Sequence, residues 1–185
     1  SNLDVSYNKN VVKVNKSKLI FENGEEEKFD IVVFAIPIRN INKILNTDYE
    51  SQYFANKTIY ISSNVKKFGN TILLIPNENL ALNSIQCLSN VSSSYSKNEN
   101  SLYSASTLDA TKSDEELFQE FNKITNISKN HSKIIKSYTL PYSLPSDFKK
   151  ISMKNNFYFC GDWNTEPSID GAIKSGRLIA EQINA

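Results

Sequence analysis

Chemistry is concentrated near the end of the chain. The apolar run Phe157-Tyr-Phe-Cys160 leads into Gly161-Asp162-Trp163, and Pro167-Ser-Ile-Asp-Gly-Ala172 opens an amphipathic pattern that continues to about Asn184. This order predicts a short buried strand, a polar loop and a helix entered through Ser168. A helix start presents unpaired N–H groups and a partial positive charge to whatever lies before it. Gly161 and Gly171 allow a ligand close to the backbone there. The chemistry implied is binding of an electron-rich or anionic group by amides.

Other reactive side chains point elsewhere. His131 is the only histidine and stands in a Lys-, Asn- and Ser-rich turn with no cluster of ligands or carboxylates around it. It reads as a surface histidine, so a Ser-His-Asp hydrolase and a metal centre are both set aside. Cys87 and Cys160 form no CxxC motif, which fits a reducing cytoplasm. Cys160, inside an apolar run, reads as a buried small hydrophobe.

The 185 residues carry a formal net charge of +1, with 39% hydrophobic and 22% charged residues, and only two arginines, Arg39 and Arg177. That balance describes a globular chain and argues against a nucleic-acid or membrane-surface protein. No apolar run reaches the roughly 20 residues that cross a bilayer. The sequons at Asn56 and Asn90 are what an Asn- and Ser-rich chain produces by chance.

The elements that must position the site divide the chain. Leu3–Tyr7, Val11–Val14 and Leu19–Glu22 are β-prone runs, with a turn at Asn23-Gly24 and a solvated loop at Glu25–Glu27. Phe29–Pro37 is a continuous apolar run, the mark of a strand buried on both faces, and Ile38–Leu45 has helical spacing. Lys57–Ser63, Asn70–Ile75, Ser84–Asn90 and Leu102–Leu108 read as antiparallel strands, and Val91–Asn100 as an exposed loop. Ser113-Asp-Glu-Glu116 is a capping box opening a helix to about Thr125, followed by a strand near Lys133–Thr139. The fold class expected is α/β with an α+β insertion. One domain comes from 1–37 with 151–185, and an antiparallel-sheet domain from 38–150.

Three blocks, in order, resemble the flavin-containing amine oxidase and phytoene desaturase superfamily. They are Asn10–Val14 with Phe29–Pro37, Tyr138-Thr-Leu-Pro-Tyr-Ser-Leu-Pro145, and Gly161–Arg177. The resemblance implies a Rossmann-like FAD-binding domain at the two chain ends and a substrate domain between them. It implies that the backbone of Val11 contacts the adenine ring and that Ala35 and Pro37 lie near the cofactor. Asp162 would meet a ribityl or ribose hydroxyl, and the amides after Gly161 the pyrophosphate. The N–H of Ile169, in the helix that Ser168 opens, would face the flavin N1–C2=O2 edge, with Gly171 and Ala172 keeping side chains clear. Trp163 is either a ring stacked near the flavin or a loop anchor. Tyr138 and Tyr142 line the substrate cavity or pack between domains.

The family's GxGxxG fingerprint cannot be assembled from the chain's five glycines. The expectation is therefore the C-terminal portion of a larger FAD-dependent oxidoreductase that oxidises a C–N or C–C bond, inactive by itself. The alternative is a split subunit or non-catalytic fragment that completes a flavin site with a separate polypeptide. The substrate expected is a small molecule, of apolar character on the strength of the middle segment's composition. Self-association through a truncated sheet is also expected.

Overall fold

The computed structural model describes residues 3–50, 52–96, 99–147, 151 and 156–185. The chain forms a mixed α/β structure in two compact units, 1–53 with 144–185, and 54–143. Ile38–Tyr53 therefore groups with the chain ends, whereas the sequence reading began the middle domain at Ile38.

In the first unit, β1 (Val11–Asn15), β2 (Lys18–Phe21) and β3 (Glu26–Lys28) form an antiparallel meander. Gly24, at φ 84°, takes the left-handed conformation its turn requires. The acidic run is not a loop: Glu26 and Glu27 lie in β3, paired with Lys18 and Lys9 across the meander. Leu3–Tyr7 forms no strand, since a strand needs a neighbour and this segment has none among the described residues.

The apolar run at 29–37 yields only β4 (Val32–Phe34), paired in parallel with β10 (Phe157–Phe159). Burial on both faces does not hold either: Phe34 is buried, but Val33 is 43% exposed. Pro37 caps α1 (Ile38–Leu45), and Asn46 ends it at φ 52°. Ile38 and Ile41 of α1 pack with Phe34, Phe159 and Trp163 to form this unit's core. The chain closes with α4 (Ile169–Ile183).

The second unit is built on a five-stranded sheet ordered β6-β7-β8-β5-β9. The strands are β5 (Tyr53–Ser63), β6 (Ile72–Leu74), β7 (Ser84–Cys87), β8 (Ser101–Thr107) and β9 (Ser132–Pro145). Between β7 and β8 come α2 (Leu88–Val91) and a 3-10 turn at Ser93–Tyr95, while residues 97–98 of the expected loop lie outside the described set. The capping box forms as read, with Ser113 and Glu116 bonding reciprocally at the start of α3 (Asp114–Thr125). Leu117, Phe118 and Phe121 of α3 pack on Ile59, Ile61, Ile85 and Tyr103 of the sheet. β9 continues through Pro141 to Pro145, which an edge strand tolerates because one side of it needs no N–H donors. Among the described residues no helix is long and apolar enough to cross a membrane, and no group of acids, histidines and cysteines is placed to hold a metal.

Candidate functional site

The first unit gathers the residues singled out in the sequence beyond the carboxyl ends of its two parallel strands. β4 runs out through Ala35, Ile36 and Pro37, and β10 through Cys160 and Gly161. One bond ties the two exits together: the Trp163 indole Nε1–H donates to the Ile36 carbonyl at 3.1 Å. Trp163 is buried among Phe34, Ile38, Ile41 and Phe159. Of the two roles open to it, the structure gives it the anchor rather than an exposed stacking surface.

Gly161 has φ 155°, and a Cβ there would overlap the Trp163 indole. Its N–H donates to Ser175 Oγ at 3.1 Å, which docks the end of β10 onto α4. Ser175 is buried, and nothing about a serine nearly two turns into a helix signals in the sequence that it reaches back to a strand end. At the next residue, Gly176, an added Cβ would meet nothing within 4 Å.

The loop after Gly161 is closed on itself. Trp163 N–H donates to Asp162 Oδ1 at 2.9 Å, Asn164 N–H to the Gly161 carbonyl at 3.1 Å, and Thr165 N–H to the Asp162 carbonyl at 3.4 Å. The amides expected to serve a pyrophosphate are thus already used, apart from Asp162 N–H, which has no acceptor among the described residues. Asn164 and Thr165 reinforce the loop, through Asn164 Nδ2–H to the Phe159 carbonyl at 2.8 Å and Thr165 Oγ1–H to the Gly171 carbonyl at 2.7 Å.

The start of α4 is capped as its sequence predicts: Gly171 N–H donates to Ser168 Oγ at 2.8 Å and Ala172 N–H to the Ser168 carbonyl at 3.0 Å. Ile169 and Asp170 then keep N–H groups with no acceptor among the described residues. The Ile169 side chain is 84% exposed. Gly171 is required by packing, because a Cβ would overlap the Glu166 carbonyl.

Val11 and Ala35 line a groove of about 580 Å³, together with Leu19, Val33, Ile36 and Ile44. Pro37 is not among its lining residues, nor is any of the Gly161–Ala172 set, so the sequence-derived residues form two groups in one unit. Tyr53, unremarked in the sequence, lies close to the second group. Burial first, then the nearby Asp162 carboxylate, pushes its phenol up, while the Ile38 backbone and Arg39 oppose this. Burial likewise raises the Cys160 thiol, which suits an inert packing residue. His131 lies in the second unit, on a 3-10 turn (Lys129–His131), and is exposed.

No protein-family profile and no curated protein matches the sequence. Solved structures do. A protein from Pyrococcus furiosus matches 95% of this chain with TM-score 0.74 at 17% identity, over 46% of its own length. An oxidoreductase from Methanosarcina mazei matches 94% with TM-score 0.68 at 10% identity, over 48% of its length. A fatty acid isomerase from P. acnes, described as producing CLA, matches 94% with TM-score 0.60 at 15% identity, over 47% of its length. The chain thus has the fold of part of each of these proteins and spans about half of their length.

Proposed function

We propose that this chain is the C-terminal portion of an FAD-dependent oxidoreductase, one that oxidises a C–N or C–C bond. The observation that carries the reading is the convergence of Gly161, Asp162 and the capped start of α4 beyond the carboxyl ends of two parallel strands, where open α/β sheets bind ligands. The fold likeness to an oxidoreductase supports redox chemistry on this scaffold.

The residues present fit part of FAD. The free Ile169 and Asp170 amides, at the positive end of α4, suit the electron-rich edge of an isoalloxazine. The Asp162 carboxylate accepts from a hydroxyl better than it faces a phosphate. Ala35 and Pro37 offer a floor without bulky or charged side chains. The used amides after Gly161 leave the pyrophosphate to groups outside this set. When bound, FAD supplies the hydride acceptor. This chain's own part is to orient it and to hold fixed positive dipole density at the end of α4.

A second reading, a subunit completing a flavin site with a separate polypeptide, is favoured by β4. Val32 N–H and the Phe34 carbonyl bond towards the β10 side, to the Asn156 carbonyl and Cys160 N–H. The polar groups of Val33 therefore face the opposite edge, where no strand pairs among the described residues.

Flavin fluorescence titrations test both readings, on this chain and on the longest natural polypeptide that contains it. Saturable FAD binding by the longer form, weakened about tenfold or more by Asp162→Ala through loss of a hydrogen bond to a charged group, is expected. Binding by the short chain alone favours the subunit reading. If neither form binds FAD, the flavin assignment is wrong.

A further inference from the structure

The second unit carries a face whose chemistry differs from that of an ordinary solvated sheet. Along β5, β7 and β8 alternate residues enter the core under α3, and those between them point the other way. Two rows cross the sheet on that other face, residue directly opposite residue. One is Leu74, Ser84, Ser106 and Thr58; the other is Ile72, Gln86, Ser104 and Tyr60. Thr58 Oγ1 and Ser106 Oγ share a hydrogen bond of 2.7 Å. None of these residues is charged, in a chain of which 22% is charged. A sheet face whose task is solvation normally mixes both signs of charge.

The two sides of this polar floor are apolar. On β6, Ile72 and Leu74 are 53% and 67% exposed. On the opposite side Tyr60 meets Tyr138 of β9 edge to face, ring centroids 6.0 Å apart. Leu140 and Tyr142, exposed as well, follow Tyr138 at the two-residue spacing of one strand face. A charge does approach this rim at Lys136, its Nζ 5.5 Å from the Tyr138 ring centre. Apolar residues flanking a few hydroxyl and amide groups match the residue composition of small-molecule sites.

We propose that this face receives the substrate, and that the substrate is a molecule without a cationic group that joins a ring to several hydroxyl groups. The inference rests on the reading of the intact protein as an enzyme. The ring lies against Tyr60 and Tyr138, and the hydroxyls meet Ser84, Gln86, Ser104 and Ser106; Gln86 offers both donors and an acceptor. A wholly aliphatic ligand would cover this floor and leave its polar groups unpaired. An ammonium would lose water there without gaining a counter-charge, and the one charge recorded beside the rim, Lys136, would repel it. Part of the middle segment's aliphatic and aromatic content, including Ile59, Ile61, Ile85 and Tyr103, forms the core under α3.

The test is backbone amide NMR on the ¹⁵N-labelled chain with three probes: phenyl β-glucoside, 1-octanol and benzylamine. Phenyl β-glucoside is expected to shift Tyr60, Gln86, Ser104 and Ser106 saturably. Ser104→Val should weaken it about fivefold, the effect of one hydrogen bond. Stronger binding of 1-octanol or benzylamine to this face overturns the proposal, as does the absence of saturable shifts there with the glucoside. FAD titration of Ser104→Val keeps the two readings apart. Unchanged flavin affinity is expected, whereas loss of flavin binding in the unsubstituted protein would fell the flavin reading and leave the NMR result standing.

Discussion

Gly171 and Gly176 lie five residues apart on α4 yet make opposite demands. At Gly171 an added Cβ overlaps the Glu166 carbonyl, and at Gly176 it meets nothing within 4 Å. Gly171→Val should therefore lower unfolding free energy by about 3 kcal/mol through overpacking against backbone that cannot give way. Gly176→Ala should raise it by about 1 kcal/mol through helix propensity. Urea midpoints of the two variants check both signs. Both glycines are visible in the sequence, where Gly171 reads as allowing close approach of a ligand. Only the placement of the Glu166 carbonyl separates them, and nothing local to either residue encodes it.

The start of α3 combines an internal cap with a charged tether. Asp114 accepts from Lys57 Nζ at 2.7 Å and from Ser137 Oγ at 3.0 Å, so it joins α3 to β5 and β9. The Lys57 bond first, then Ser137, holds the Asp114 carboxyl below its ordinary range, against the opposing effect of burial. A carboxylate depressed in the folded state contributes its stability above its unfolded value, near pH 4. That contribution is lost as pH falls through the lower folded value. Asp114 is partly exposed, so solvent screening limits the contribution to about 0.5 kcal/mol. Asp114→Asn should accordingly show a smaller drop in urea midpoint between pH 7 and pH 2.5 than the unsubstituted chain. Part of the acid sensitivity remains, because Asp109, Glu115 and Glu116 are also depressed, by Thr111, Lys129 and Ser113 respectively. The capping box was legible from four consecutive residues, since its partners are three apart. Lys57 and Ser137 were not, since they arrive from strands distant in sequence.

For the molecule as a whole, the unpaired edge of β4 is the feature with the largest consequence. It combines a strand edge that no strand pairs among the described residues with exposed Phe29, Ile31 and Val33. We propose that this edge drives self-association when nothing else pairs with it. Sedimentation over a range of concentrations should show the chain associating and Val33→Lys remaining monomeric. A chain that is monomeric throughout would remove the edge from consideration. The two-unit division shows the same dependence on distant contacts. Residues 38–53 follow a proline and carry their own helix, which made them look like the start of something new. They join the first unit because Ile38 and Ile41 bury against Phe34 and Phe159.

By itself the sequence determined α1, α3 and α4, the turn at Gly24, the Ser168 cap and the presence of the middle segment's strands, though not that β5 pairs with β8 rather than β6. Each of these rests on residues within a few positions of one another: periodicity, caps and turn chemistry are short-range. Tertiary structure alone decided that Trp163 is an anchor, that the amides after Gly161 are already bonded, and that Glu26 and Glu27 pair across a meander. It also placed Ile59, Ile61, Ile85 and Tyr103 in a core and Thr58, Ser84, Ser104 and Ser106 on the opposite face of the same sheet. A strand's composition gives both faces together. Which of them is covered depends on where α3 lands, and that is set by packing between residues far apart in the chain.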